Sequence, residues 1–214
     1  MNIIKSLFVV LLMVSSSASA QKTYYVGVTN HSTLPVPSEE QVNQILAAAS
    51  KMLQKEPDHV DADDDVACNV TFTLKGPIQT FPSPHAEVFN QDDIDALHRI
   101  DSGLDVDFHI RIAERILFCR ETPAEFSGCA YPPQYRTILL LHPNSQEQVS
   151  ATYPTHVLWA HEFGHLTGLG HRQDPYALMK CGGVTRASVR VKREECRCML
   201  SGMESCALPP TLFC

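Results

Sequence analysis

Long apolar runs and positive charge are both scarce in this 214-residue chain. The only extended apolar stretch, residues 7–14, is too short for a stable transmembrane span, so we expect none in the mature chain. Lys and Arg number 17 against 24 Asp and Glu, a net charge of −7, which disfavours nucleic acid as a partner. No Cys-x-x-Cys pair occurs, which weakens the case for a cysteine-rich metal site.

The first 20 residues have the pattern of a secretory signal peptide. Lys5 supplies the positive start, residues 7–14 the apolar core, and Ala18-Ser19-Ala20 the small-residue cleavage site. An uncleaved membrane anchor is the weaker alternative. We expect residues 21–214 to form one exported domain, which is secreted, or periplasmic if the source is bacterial.

Cysteines are frequent for an exported chain of this length. Their even number predicts up to four disulfides. Cys119 and Cys129 are placed to close a small loop, and the region after residue 190 holds enough cysteines to be cross-linked. The remaining connectivity stays open. The eight residues are Cys68, Cys119, Cys129, Cys181, Cys196, Cys198, Cys206 and Cys214.

One short segment holds the residues of a metal site, HEFGHLTGLGH from His161 to His171. His161 and His165 are one helical turn apart, so both imidazoles can reach a single ion. Gly168 stands where a helix should end in the left-handed conformation, which allows His171 to return to the same centre. Three neutral nitrogens with an open fourth position are typical of a catalytic zinc site. Glu162 can face the open position without being a ligand.

This segment resembles the signature of the metzincin zinc endopeptidases. Met179, eight residues after His171, stands where that family has its methionine turn under the metal. The sequences around Gly168–His171, Asp174 and Met179 are most similar to the matrixin branch. The chain departs from matrixins at Arg172, where they usually have serine, and at Lys180-Cys181, which replaces Tyr-Pro.

The resemblance implies an α+β fold with an α/β-type N-terminal subdomain. Its twisted mixed sheet would carry two main helices, with a zinc cleft between an upper subdomain (about 21–168) and a small disulfide-stapled lower one (about 169–214). It further implies one catalytic Zn²⁺ and the hydrolysis of peptide bonds in extended protein substrates. In that reaction Glu162 is the general base for a water bound to zinc.

Substrate binding is expected along an edge strand formed by residues 128–132, with Gly128, Ala130 and Tyr131 as the contacts. Two other readings stay open. The chain could be a non-catalytic secreted module that keeps zinc for stability or recognition, or a zinc hydrolase acting on non-peptide substrates. Intact Glu162 and the lack of an evident fourth ligand favour the peptidase.

Hydrophobic periodicity predicts the main elements. Strands are expected over 24–29, 68–75, 104–112 and 137–141, with residues 77–90 as a loop. Helices are expected after a Ser38 cap, over 92–99, after a Thr155 cap, and around 192–200. In the helix of the motif, Ala160 and Gly164 form a small-residue face, and we expect Gly164 to serve packing or access to the site.

Other partners are only weakly indicated. The acidic residues Asp61, Asp63, Asp64 and Asp65 offer oxygen ligands for Ca²⁺, but their spacing fits no calcium loop and a solvated loop is favoured. The first cysteine lies within a predicted strand, so no cysteine-bearing pro-segment is expected, and an inhibitor protein or export itself would restrain activity. We expect a monomer. The histidines outside the motif are expected to be surface or hydrogen-bonded groups: His31, His59, His85, His98, His109, His142 and His156.

Overall fold

A computed structural model describes residues 21–56, 64–82, 86–120, 122–131, 135–143, 154–202 and 206. Residues 1–20, on which the predicted signal peptide falls, lie outside it, as do Asp61, Asp63, His59 and His85. No helix in the described ranges is both long and apolar enough to cross a membrane.

The main sheet contains six strands. They are β1 (Lys22–His31), β2 (Val70–Leu74), β3 (Gln79–Phe81), β5 (Phe108–Ala113), β8 (Gly128–Ala130) and β9 (Thr137–Leu141). The order is β2-β1-β5-β9-β8, with β3 also paired to β1. All pairs are parallel except β8 with β9, so an antiparallel strand forms one edge. A smaller sheet has the order β4-β6-β7, from β4 (Glu87–Val88), β6 (Arg115–Cys119) and β7 (Thr122–Phe126).

Four helices occur in the described chain: α1 (Glu39–Gln54), α2 (Gln91–His98), α3 (Thr155–Leu166) and α4 (Arg193–Ser201). The Ser38 hydroxyl accepts from the Gln41 N–H at 3.1 Å, as predicted for the start of α1. The helices and the mixed sheet together confirm the predicted α+β fold, with α1 and α3 as its two longest helices.

Both faces of the main sheet are buried. In β9, Ile138 and Leu140 join a core shared with α1 and α3, whereas Leu139 and Leu141 join a second core with α2 and the small sheet. A strand covered on both sides needs apolar residues at every position, which explains the uninterrupted apolar sequence of β9.

Helix α3 is buried along almost its whole length, from Val157 to Leu166. Phe163 packs against Tyr24 of β1 and Phe72 of β2, with ring centroids 4.8 Å apart in each pair. Helices that are apolar all round are buried in this way. The sheet and its aromatic side chains therefore fix the helix that carries the histidine motif.

Disulfides join distant parts of the fold. Cys68 pairs with Cys196, 128 residues away, and links the segment just before β2 to α4. A loop of that length corresponds to about 5 kcal/mol in the chain-entropy model. Cys119 pairs with Cys129, as predicted, and Cys198 pairs with Cys206 in the C-terminal region. Cys181 is also disulfide-bonded, and none of the described cysteines is free.

Several predicted boundaries were wrong. The strand expected from residue 104 begins at Phe108. Just before it, the Asp107 carboxylate accepts from the Tyr25 N–H at 2.6 Å and replaces a main-chain hydrogen bond between β1 and β5. Residues 77–90 are not only loop, since they contain the short strands β3 and β4. Thr155 is the first residue of α3 rather than its cap, and Pro154 at the cap position makes no side-chain hydrogen bond.

Candidate metal centre and active site

His161 and His165 lie on one face of α3, and both are buried. Their Nε2 atoms are 3.1 Å apart. The four-residue spacing predicted this proximity, because side chains one turn apart on a helix lie one above the other. The burial of the helix against the sheet leaves the two rings little freedom to separate.

His171 reaches the same point because α3 ends in a Schellman motif. The Gly168 N–H donates to the His165 carbonyl and the Leu169 N–H to the Gly164 carbonyl, each at 3.0 Å. Gly168 has a φ of 91°, the left-handed conformation predicted for it. The chain then turns back and places the His171 Nε2 3.0 Å from that of His165 and 3.3 Å from that of His161.

Backbone carbonyls determine the tautomers of two of these rings. The Nδ1 of His161 lies 2.7 Å from the Leu178 oxygen, and the Nδ1 of His165 lies 2.8 Å from the Leu169 oxygen. A carbonyl only accepts hydrogen bonds, so both Nδ1 atoms must carry the proton. In a neutral imidazole the Nε2 is then an unprotonated acceptor. His161 and His165 therefore direct lone pairs towards each other, an arrangement that a cation between them stabilises.

The donor set fits Zn²⁺. Zinc–nitrogen bonds of about 2.0–2.1 Å in tetrahedral geometry require nitrogens about 3.3 Å apart, close to the distances found here. Within the described chain these three histidines are the only group able to hold a metal ion in this way. Burial, the largest effect in each case, lowers the pKa of His161 to about 4, lowers that of His165 well below its ordinary value, and also lowers the pKa of His171. Neutral rings are the form in which histidine binds metals.

Glu162 is buried beside the histidines and is held by strand β8. The Ala130 backbone hydrogen-bonds to its carboxyl group, and a Cβ added to Gly128 would lie only 2.7 Å from its Oε1. The absence of a side chain at Gly128 therefore makes room for this carboxyl group. Burial raises the pKa of Glu162 to about 8, against the opposing effects of Arg120 and the Ala130 hydrogen bond. A divalent cation beside it would lower that pKa again.

Met179 is completely buried under the histidine motif. Its side chain packs against Gly164 of α3, so that a Cβ on Gly164 would overlap the methionine sulfur. The preceding residue, Leu178, supplies the carbonyl bound by His161. The segment predicted to be the methionine turn therefore contacts both the helix and one of the three histidines.

The main-chain groups of β8, the predicted substrate edge, point to two sides of the strand. Ser127 and Tyr131 bond to β9 through main-chain groups, so by alternation Gly128 and Ala130 direct theirs to the opposite side. The Tyr131 side chain is buried in the second core, where its ring contacts His98 and Tyr135. At Ala130 the N–H is bound to Glu162 and the C=O accepts from the Arg120 Nε at 3.1 Å. Gly128 is the position whose main chain is taken by none of these partners.

Arg120 is a residue of this site that the sequence patterns did not single out. It lies after β6 with a φ of 49°, and its positive charge acts on the pKa of Glu162 and of all three histidines, after the larger effect of burial. The signal that would have found it is the predicted Cys119–Cys129 pair. That disulfide brings the residue next to Cys119 alongside β8.

The other described histidines lie outside this centre. His31 contacts the Thr33 hydroxyl at 2.7 Å and His142 the Pro35 carbonyl at 2.8 Å. His98 stacks on Tyr135, but neither of its ring nitrogens has a hydrogen-bond partner among the described residues. In the described part of the acidic patch, Asp65 has a buried side chain paired with Arg190 at 3.7 Å, and the half-exposed Asp64 pairs with Arg193 at 3.8 Å.

No protein-family model matches this sequence, and no curated protein matches it either. The fold is similar to that of solved structures. A mutant of promirolysin from Tannerella forsythia aligns with a TM-score of 0.52 at 11% identity, over 86% of this chain and 80% of that chain. At that identity the likeness supports the fold alone.

Two further structures align over most of this chain. Metalloproteinase-II from Bacteroides fragilis does so with a TM-score of 0.49 at 14% identity, over 84% of this chain and 52% of that chain. This chain thus spans about half the length of the Bacteroides protein. Archaemetzincin from Methanopyrus kandleri aligns with a TM-score of 0.48 at 13% identity, over 82% of this chain and 93% of that chain.

Proposed function

We propose that this protein is a zinc-dependent endopeptidase of the metzincin type, with a motif most similar to that of matrixins. The observation that carries the proposal is the convergence of three Nε2 atoms within 3.0–3.3 Å, with Glu162 next to His161 on the same helix. His161, His165 and His171 would hold the metal. Three protein ligands leave a position open for chemistry.

Bound Zn²⁺ supplies Lewis acidity, which makes a water more acidic and polarises a scissile carbonyl. Glu162 accepts the proton of the attacking water and delivers it to the leaving amine. The Ala130 hydrogen bond holds the carboxyl group in position for both transfers. Leu178 and Leu169 hold the His161 and His165 rings through their Nδ1 atoms, which keeps both Nε2 atoms aimed at the metal.

The substrate would lie extended beside β8, with Gly128 offering the free main-chain groups for hydrogen bonding. Ala130 contributes indirectly, since it already positions Glu162 and Arg120. Disulfides form in oxidising compartments, so the three described here support a secreted or periplasmic location.

Cleavage of denatured casein and of quenched fluorescent peptides tests the proposal, with zinc content measured on the same samples. We expect the wild type to cleave, a chelator to abolish cleavage, and added Zn²⁺ to restore it. Glu162→Ala should keep its zinc and lose at least about 100-fold in rate, the usual scale of general-base catalysis. Glu125→Ala, which removes an exposed glutamate on β7, is the matched control.

Two outcomes would contradict the proposal at different points. If Glu162→Ala cleaves as fast as the wild type, the general-base role is wrong. If the wild type binds zinc stoichiometrically but cleaves no peptide at any pH, the protein is better described as a non-catalytic zinc-containing binding module. A hydrolase acting on non-peptide substrates would cleave ester or amide probes in place of peptides.

A further inference from the structure

Arg120 is anchored to the edge strand by contacts on its own backbone and on its neighbour. Its N–H donates to the Tyr131 hydroxyl at 3.2 Å. The disulfide of the preceding residue, Cys119, joins it to Cys129 of β8. Arg120 also adopts a positive φ, which a non-glycine residue takes only when its surroundings require it. These constraints fix the position of the Arg120 backbone, and with it the Cβ atom, relative to β8.

The guanidinium group is only partly used by the protein. Its Nε donates to the Ala130 carbonyl at 3.1 Å, while the residue as a whole is exposed. None of the described carboxylates lies within 4.0 Å of its nitrogens to form an ion pair. An arginine carries five N–H donors in a planar fork, so the outer donors stay available for a ligand.

Ala130 connects this guanidinium group to the candidate catalytic residue. Its N–H donates to the Glu162 carboxyl group and its C=O accepts from Arg120. The N–H and the C=O of Ala130 point to the same side of β8. Arg120 and Glu162 are nevertheless too far apart for an ion pair. A peptide lying beside Gly128 and Ala130 would pass both side chains within one or two of its own residues.

The hydrogen bond to the Ala130 carbonyl does not by itself require a charged side chain. A neutral donor such as glutamine would satisfy the Ala130 carbonyl equally well. The guanidinium group is suited to a carboxylate, which it binds through two parallel hydrogen bonds.

We propose that Arg120 is a specificity-determining residue that binds a carboxylate of the substrate next to the scissile bond. This inference rests on the proposed peptidase function. The carboxylate belongs either to an acidic side chain flanking that bond or to the C-terminus of a short substrate.

Four matched peptides distinguish the two sources. They carry Asp or Asn beside the scissile bond, each with a free or an amidated C-terminus. We expect the wild type to prefer the peptide with the recognised carboxylate about tenfold in kcat/KM, on the scale of a charge-assisted hydrogen bond. Preference for Asp over Asn shows that Arg120 binds a side-chain carboxylate. Preference for the free over the amidated C-terminus shows that it binds the terminal carboxylate. The preference should shrink as salt rises, because the group is exposed.

Variants separate recognition from a merely structural role. Arg120→Gln can keep a donor for Ala130 but should bring the ratio of the paired substrates to about one, and Arg120→Lys should keep part of it. Arg115→Gln, an exposed arginine at the start of β6, should behave as the wild type. If Arg120→Gln slows all four peptides equally and leaves their ratio unchanged, the inference is wrong.

Binding measurements keep this test independent of catalysis. Calorimetry of the same four peptides with zinc-loaded Glu162→Ala protein should show the same preference, again removed by Arg120→Gln. If the wild type cleaves no peptide, the proposed function fails while the binding comparison still decides on Arg120. Equal affinity for all four peptides would overturn the inference even if the protein is a peptidase.

Discussion

The sulfur of Met179 lies against the backbone of Gly164, in a space that leaves no room for a Cβ. The small-residue face predicted on α3 therefore has a defined role, which is to bring the methionine segment close to the helix that carries His161 and His165. Leu178, the neighbour of Met179, binds His161 through its carbonyl. Displacement of Met179 should consequently disturb a ring that would hold zinc.

We expect Gly164→Ala to destabilise the protein by about 1–3 kcal/mol, the usual cost of overpacking, and to weaken zinc binding. In a Met179→Ala background, the same Gly164→Ala change should instead stabilise the protein. The cavity would accept the new methyl group, and alanine is about 1 kcal/mol more favourable than glycine within a helix. A double-mutant cycle from urea unfolding measures the difference. Additive effects of the two changes would show that the contact is unimportant.

Gly128→Ala tests the space beside Glu162. The new Cβ would lie 2.7 Å from the Glu162 Oε1, so the carboxyl group must shift while zinc and its ligands stay in place. Misplacement of a catalytic group by about 1 Å can cost on the order of 100-fold in rate. We expect that loss in kcat with unchanged zinc content and a similar melting temperature. Ser127→Ala, the neighbouring change, should leave kcat unaltered, and an active Gly128→Ala enzyme would disprove the close packing.

Local patterns predicted the convergence of the three histidines because its geometry depends on few residues. His161 and His165 follow from helical periodicity alone, and the position of His171 follows from the glycine that ends the helix. The strand over residues 137–141 was also predicted correctly, since an uninterrupted run of apolar residues is typical of a strand that is covered on both faces. For the three histidines, the spacing that brings them together lies within 11 residues, from His161 to His171.

Contacts between distant segments were not predictable in this way. Strands β6 and β7 lack a clear alternation, and they pair with a shift of register between Ile116 and Phe118. Arg120 acquires its position through the disulfide of its neighbour Cys119 and through its contacts with Ala130 and Tyr131. The link between Cys68 and Cys196 spans most of the chain, and nothing in the spacing of the cysteines distinguishes it from other connectivities.

Arg172, which departs from the matrixin pattern, forms an ion pair with Glu195 of α4 at 3.1 Å. Both side chains are largely buried, and the pair links the segment after His171 to the helix that Cys68 and Cys196 also anchor. Burial raises the pKa of Glu195, and Arg172 opposes that effect. Removal of the arginine should therefore leave a buried carboxylate without its main cation.

We expect Arg172→Gln to lower the free energy of unfolding by about 3 kcal/mol at neutral pH. The loss should depend on pH in a defined direction. In the variant the folded-state pKa of Glu195 rises further above its unfolded value, so stability is lost as pH rises through that pKa and regained in acid, where the carboxyl group is protonated. Denaturant unfolding from pH 4 to 8 measures this, and Arg172→Gln/Glu195→Gln should remove the dependence. A deficit that does not change with pH would contradict the account.

His98 predicts a second effect of pH, with the opposite sign. Burial, followed by the nearby charge of Arg111, lowers its pKa to about 4, and Asp95 opposes the shift only partly. Between that pKa and the unfolded value near 6.5 the unfolded chain binds more protons, so this residue destabilises the fold as pH falls. His98→Phe should keep the stacking on Tyr135 while it removes the proton site and two unpaired ring nitrogens.

Relative to the wild type, we expect His98→Phe to gain about 1–2 kcal/mol at pH 4.5, after allowance for partial solvent screening. The gain at pH 8 should be smaller, because His98 is then neutral in both the folded and the unfolded chain. Only the loss of its two unpaired ring nitrogens then contributes. Metal-free protein should be used for both, since protonation of the three motif histidines would also release zinc. A gain that is equal at the two pH values would mean that His98 titrates normally, and that its nitrogens alone account for the change.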